Sequence, residues 1–167
     1  MKLGDLGELA VLTLRNPDAA LRVLRGLDLP MAARWTALFL AVVLSRMLGV
    51  LLLMVLPVTS GEPLAALLTD PMTMAGIEFF GMVLTAFLVT VIGRMFGGHG
   101  TFADALLAVA WIELLLVALM AVQLVMLVLL PGTVDLLGIV VGALSIYLTV
   151  TMTKALHGFT SLGKVAL

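Results

Sequence analysis

Residues 105–130 read ALLAVAWIELLLVALMAVQLVMLVLL. The run exceeds the ~20 apolar residues that carry a helix across ~30 Å of hydrocarbon, and it holds one charge, Glu113. A soluble core does not need an uninterrupted apolar stretch of that length, so the segment reads as a membrane span. Glu113 sets the problem. A charge at mid-bilayer costs roughly 2.5–3.5 kcal/mol on insertion scales, so it must face protein or water and find a partner there.

Working outward, the third span covers about 102–130. Thr101 with Asp104 three residues on makes a capping box that opens it, and Pro131-Gly132 breaks it. Three further apolar runs flank it: about 35–56 with Arg46 inside, about 72–92 with Glu78 inside, and about 134–153, ending before Lys154. Arg34 and Trp35 read as an interfacial anchor pair for the first of these. Residues 57–71, with Pro57, Gly61, Pro63 and Pro71, form a loop with room for a short helix at 64–68. Residues 93–100 form a glycine-rich turn and 155–163 a loop, while Lys164–Leu167 reads as the first turn of a fifth span. The fold class is therefore all-α: a polytopic bundle with four complete spans and the start of a fifth. Residues 1–30 form an N-terminal segment and 31–167 the transmembrane domain.

Composition agrees. Apolar residues make up 63% of 167 and charged residues 11%, with mean hydropathy +1.27. Soluble domains run near ~45–50% and ~25%. A net charge of −1 and the lack of any basic stripe argue against nucleic acid. Without cysteine there is neither disulfide nor thiolate metal site. The N-terminus is no secretory signal, since Asp5, Glu8, Arg15 and Asp18 interrupt it.

That N-terminal segment suggests two short helices. Asp5, with Glu8 three residues on, can cap the first; Asn16 before Pro17 suits N-cap and N1 of the second. In the second, Leu21, Leu24 and Gly26 share a side, with Arg22 and Arg25 off it. Such a helix suits the headgroup layer of an anionic leaflet, the alternative being a cap over the bundle.

Eight of the nine cations (Lys2, Arg15, Arg22, Arg25, Arg34, Arg94, Lys154 and Lys164) fall on one side of the spans. By the positive-inside rule that side, with the N-terminus, is cytoplasmic, and the chain reads as a multi-pass protein. The ninth cation is Arg46. At ~1.5 Å per residue Arg46 and Glu113 both lie about 16 Å from the cytoplasmic edge, and Glu78 comes out near ~21 Å. The three charges share a layer. They form either an interhelical Arg–Glu bridge that fixes packing or a proton- or solute-handling site.

In the fourth span Gly138 and Gly142 form a G-x-x-x-G step extended by Ser145 and Thr149, a stripe that permits close helix approach, with packing inside the bundle favoured over another chain. The eleven methionines read as adaptable packing. Gly97-Gly98-His99-Gly100 lacks the Lys-Ser/Thr of a P-loop and follows no strand, so no phosphate cofactor is expected. His99 and His157 fall in loops, His99 with Asp104 being the one pair near metal-ligand spacing, and no metal is expected. Asp70 and Asp135 lie at span ends and no histidine is buried, which argues against intramembrane proteolysis and against an enzyme.

The order of Leu29-Pro30, the run Gly97-Gly98-His99-Gly100-Thr101-Phe102-Ala103-Asp104-Ala105-Leu106, then Trp111-Ile112-Glu113 and finally His157-Gly158-Phe159-Thr160-Ser161-Leu162 resembles the bacterial, alphaproteobacterial-type branch of the Yip family. The resemblance covers essentially the whole chain, though its motifs are short and carry no defined chemistry. It implies a five-helix α bundle with a cytoplasmic N-terminus, from which this chain departs by ending where the fifth helix would begin. The eukaryotic Yip/Yif relatives are linked to vesicle traffic and Rab-type GTPases, machinery a bacterium lacks, so no functional residue is carried over. The reading is a non-catalytic membrane protein that works by lateral association, as accessory subunit or organiser of a membrane complex. Its partners would be membrane lipids and a protein partner or a second copy of itself. The alternative is a small transporter or channel subunit using Arg46, Glu78 and Glu113. Spans broken by Pro or Gly at mid-depth, a feature of secondary transporters, do not occur.

Overall fold

In a computed structural model of the chain, the described residues are 3–55 and 70–159. They form six α-helices: α1 (Leu3–Arg15), α2 (Pro17–Gly26), α3 (Met31–Val55), α4 (Pro71–Met95), α5 (Phe102–Leu129) and α6 (Val134–His157), with a 3₁₀ turn at Pro131–Thr133. Four of them, α3 to α6, are long and apolar enough to cross a membrane. The chain is a multi-pass membrane protein by that measure. The loop at 57–69, its short helix at 64–68 and the start of a fifth span at 164–167 lie outside the described residues.

Caps explain several helix starts. Asn16 accepts from the Ala19 amide at 3.0 Å, with Pro17 in the first turn of α2. Asp70 accepts from the Thr73 amide at 2.8 Å at the head of α4. The Thr101 hydroxyl accepts from the Asp104 amide at 3.2 Å at the head of α5. Asp5 instead lies within the first turn of α1, where the helix dipole favours its charge.

Helix ends run further than the charges implied. α3 starts at Met31, four residues before Trp35; α4 continues through Gly93 and Arg94 to Met95; α6 continues through Lys154 to His157. A basic residue in the last turn interacts favourably with the helix dipole, so a charge ends the apolar span without ending the helix. The real stops are glycines. Gly97 (φ 84°) and Gly158 (φ 69°) follow α4 and α6 in the left-handed conformation. Gly98 then donates back to the Gly93 carbonyl at 2.8 Å, and Phe159 to that of Lys154 at 3.1 Å. Both helices finish in the same Schellman-type turn.

The centre of the bundle is α5, which packs along α3, α4 and α6, while α4 and α6 touch little. Burial is concentrated at the end where α3 and α5 begin and α4 and α6 finish: Leu38, Ala86, Leu106, Leu148 and Met152 are fully enclosed there. Toward the opposite end, side chains such as Met54, Met72, Val128 and Leu136 lie exposed for lipid. The N-terminal helices share this core rather than sitting apart from it. Leu21 and Leu24 of α2 and Leu9 of α1 are buried with the bundle residues. The apolar side expected to enter a leaflet is therefore occupied by protein, and α2 is a cap over the bundle.

Candidate functional site: the polar crevice and the ties at the basic end

Arg46 on α3 reaches Glu78 on α4, with Nε 2.5 Å from Oε2. The Nε–H is not aligned on that oxygen as a hydrogen bond, so the pair is held by charge, and Arg46 Nη2 donates to the Ser45 hydroxyl at 3.3 Å. Glu78 Oε1 is buried with no hydrogen-bond partner among the described residues. A lone charge at this depth would be costly, and pairing lowers that cost.

The bridge divides two spaces. On one side Arg46 lines a groove of about 620 Å³ between α3 and α4, walled by Phe39, Val42, Met47, Met72 and Phe79. On the other, Glu78 lines a crevice of about 260 Å³ that α5 floors and α4 and α6 wall. Glu113 also lines that crevice, so the structure brings all three charges to one layer, with Arg46 bonded to Glu78 and Glu113 facing the crevice. Thr85 of α4 and Ser145, Thr149 and Thr153 of α6 supply hydroxyls along its walls. A second space of about 280 Å³ continues it toward Phe96 and Phe159. Residues of α4 and α6 wall it.

The small-residue stripe of α6 behaves differently from expectation. Ser145 and Thr149 belong to the crevice, and the Thr149 hydroxyl donates to the Ser145 carbonyl at 2.8 Å. Gly138 and Gly142 are exposed: a Cβ at Gly142 would meet nothing within 4 Å, and at Gly138 only Gln123 Nε2 at 3.5 Å. The expectation of close intramolecular packing along this stripe is corrected. No helix of the described chain approaches those glycines closely.

At the other end of the crevice, His157 closes α4 against α6. Its ring is buried, with Nδ1 accepting from the Gly100 amide at 3.2 Å and Nε2 2.9 Å from the Val89 carbonyl. The neutral ring with its hydrogen on Nε2 satisfies both, whereas an imidazolium would set N–H against N–H. Glycines make the space: a Cβ on Gly93 or Gly98 would overlap the imidazole, and one on Gly100 would come within 2.7 Å of it. The placing of His157 in a loop, with no histidine buried, is corrected. Its burial could not be read from its neighbours in sequence, since the bonds that make it possible come from residues 57 and 68 positions away.

Asp104 ties the N-terminal helices to this end. One oxygen accepts from Arg25 Nε and Nη2 at 3.0 and 2.8 Å, the other from Arg34 Nη1 at 2.9 Å. Asp104 thus completes no reciprocal capping box, and its carboxylate is not free for His99. Arg34, 8% exposed, also donates to the Leu29 carbonyl at 2.9 Å, and Trp35 packs against Phe79 and Phe102. Both supposed interfacial anchors are turned into the protein. A further tie escaped sequence reading: the Trp111 indole N–H donates to the buried Thr13 hydroxyl at 2.9 Å.

Three of the short sequence motifs therefore meet in space. Gly97–Asp104, Trp111 and His157-Gly158-Phe159 supply the joint at the end of the bundle where α1 and α2 dock. The Yip1 domain family matches residues 11–167. No curated protein and no solved structure matches the chain. With a match from Val11 to the last residue, over a helical membrane-spanning fold, the chain belongs to the Yip1 domain family.

Proposed function

We propose that the protein is non-catalytic and acts by lateral association, as an accessory subunit or organiser of a complex in a bacterial inner membrane. One observation carries the reading. The exposed glycines of α6 run into a crevice lined by the Glu78 and Glu113 carboxylates, which hydrocarbon chains cannot satisfy. A helix from another chain, seated along Gly138 and Gly142 and over the crevice, would supply both close backbone packing and polar partners. The chain lacks cysteine, so single cysteines give clean tests. Oxidative or short bifunctional crosslinking in native membranes should trap a protein adduct from Gly142→Cys or Thr153→Cys. Met47→Cys, exposed on α3, should not. Equal trapping from α3 would contradict the placement of the interface.

The N-terminus is assigned to the cytoplasm. Arg15, Arg22, Arg25, Arg34, Arg94 and Lys154 all belong to the end where the ties converge. His99→Cys should resist an impermeant thiol reagent added outside cells, and Gly132→Cys should react. The reverse pattern overturns the orientation.

A second reading rests on the same crevice. Filled with water, it would offer Glu78 and Glu113 to protons or small cations. Proton flux in proteoliposomes that is lost in Glu113→Gln would favour it. Absence of flux in the unaltered protein leaves association as the only reading.

A further inference from the structure

Glu113 stands near the middle of α5, the twelfth of its 28 residues, half-buried and lining the crevice. Among the described residues it makes no hydrogen bond and no ion pair. Two charges act on it: Glu78, which repels a second carboxylate, and Arg46, which attracts it. Arg46 is already held by Glu78. The layer therefore sets two carboxylates against one guanidinium, and among the described residues no other charged side chain lines the crevice. A carboxylate left this way among apolar helices is costly, and a basic partner lowers that cost.

The walls add acceptors. The Thr85 hydroxyl donates its hydrogen to the Gly81 carbonyl at 2.8 Å, and that of Thr149 to the Ser145 carbonyl at 2.8 Å. Each oxygen is then left to accept. Glu78 Oε1 is also without a donor among the described residues. A positive group with several N–H bonds to give matches such a lining. Size decides what carries that group. The crevice holds about 260 Å³, where a water needs roughly 10–15 Å³, so a bare ion would leave most of it empty. Met82, Val89, Leu116 and Met152 on the walls suit a methylene stem behind a charged head.

A neighbouring helix can deliver that side chain. Gly138 and Gly142 lead along α6 to Ser145 and Thr149, which belong to the crevice, so a helix seated on the glycines passes beside it. A second copy of this chain has no cation free for the purpose. Eight of its nine cations stand at or beyond the ends of the apolar runs, and the ninth, Arg46, is engaged within its own chain.

Resting on the lateral-association reading, we propose that the partner is a different membrane protein whose span carries a lysine or arginine that enters the crevice and pairs with Glu113. The basic group donates to Glu113 and to the hydroxyl oxygens of the walls, while Arg46 keeps Glu78. The pair also sets the register, since it fixes which turn of the partner meets which turn of α6.

The full chain is reconstituted in lipid nanodiscs with synthetic leucine–alanine helices of about 24 residues, each with a Gly-x-x-x-Gly step. A central position, moved through one helical turn, holds lysine, arginine, norleucine or glutamate, and affinity is read by energy transfer to a dye on Gly132→Cys. Lysine or arginine at the best position should bind roughly tenfold tighter than norleucine, and glutamate no tighter than norleucine. Glu113→Gln should abolish that preference, whereas Asp135→Asn, in the first turn of α6 and outside the crevice, should keep it. The comparison among helices uses the unaltered Glu113, so it stands even where a variant folds poorly. Equal binding of the lysine and norleucine helices would overturn the proposal, as would a preference that survives Glu113→Gln. Octylammonium that binds through Glu113 while the lysine helices show no preference would assign the crevice to a free amine and overturn it too. In native membranes, the adduct trapped from Thr153→Cys should be another protein, with lysine or arginine inside the crosslinked span. An adduct with a second copy, or with a span lacking a basic residue, leaves association standing and overturns this proposal alone. No adduct at all removes both.

Discussion

Trp111 of α5 and Thr13 of α1, 98 residues apart in sequence, share a buried hydrogen bond of 2.9 Å, and the same hydroxyl donates to the Leu9 carbonyl at 2.7 Å. A threonine that satisfies its own helix and a tryptophan from another ties the N-terminal hairpin into the bundle. Thr13→Val keeps the volume but leaves the indole N–H unpaired. A loss of roughly 1–3 kcal/mol is expected in reversible detergent unfolding, with Thr13→Ser close to the parent. Equal stability of the valine variant would show that the bond contributes nothing.

The joint between α4 and α6 should be equally sensitive to size. Gly98→Ala places a methyl group inside the His157 ring and should destabilise by roughly 1–3 kcal/mol. Gly142→Ala, with nothing within 4 Å, should leave the isolated chain unchanged or slightly more stable. Similar effects for the two alanines would contradict the packing described around His157.

Arg46→Leu alone strands the Glu78 carboxylate, so it should do more harm than Arg46→Leu with Glu78→Leu. A coupling of roughly 0.5–2 kcal/mol is expected, the scale of polar pairs between spans. Glu113→Gln should not relieve Arg46→Leu, because Glu113 is not the residue bonded to Arg46. Additive losses in the cycle with Glu78 would show that the two act independently.

Asp70 gives a pH-dependent end to α4. Hydrogen bonds from the Thr73 hydroxyl and amide hold its carboxyl below the usual carboxylate range. A value lowered on folding means that the cap stabilises fully above the unfolded value of ~3.9 and is lost as pH falls through the folded value. Amide exchange in the first turn of α4, corrected for its intrinsic pH dependence, should therefore rise on acidification. Asp70→Asn caps without titrating and should remove that rise. An unchanged pH response in the asparagine variant would contradict the assignment.

The four long helices were legible in sequence because each apolar run is longer than any soluble element requires, and the caps at Asn16 and Thr101 because capping is a matter of two or three neighbouring residues. What escaped depends on distant partners. Lys154 and Arg94 looked like helix ends, but charges on the last turn are tolerated and the stops came at Gly158 and Gly97. Arg34 and Trp35 had the composition of interfacial anchors until Asp104 and Phe102 drew them inward. His157 is buried by glycines from another helix and its following turn. The shared depth of Arg46, Glu78 and Glu113 was legible from helical rise. Which carboxylate bonds the arginine was not, since that depends on side-chain direction around each helix.

Lateral association is tested most directly by the mass of the assembly extracted in native lipid nanodiscs, with Gly142→Leu against the parent chain. A Cβ at 142 meets none of the described residues within 4 Å, so leucine there should fold normally, yet it would hold a neighbouring backbone away from α6. The parent is expected as a complex heavier than the 17.6 kDa chain, and the variant as that chain alone with its thermal stability retained. A parent that is already alone, or a variant that keeps the full complex, would contradict the account.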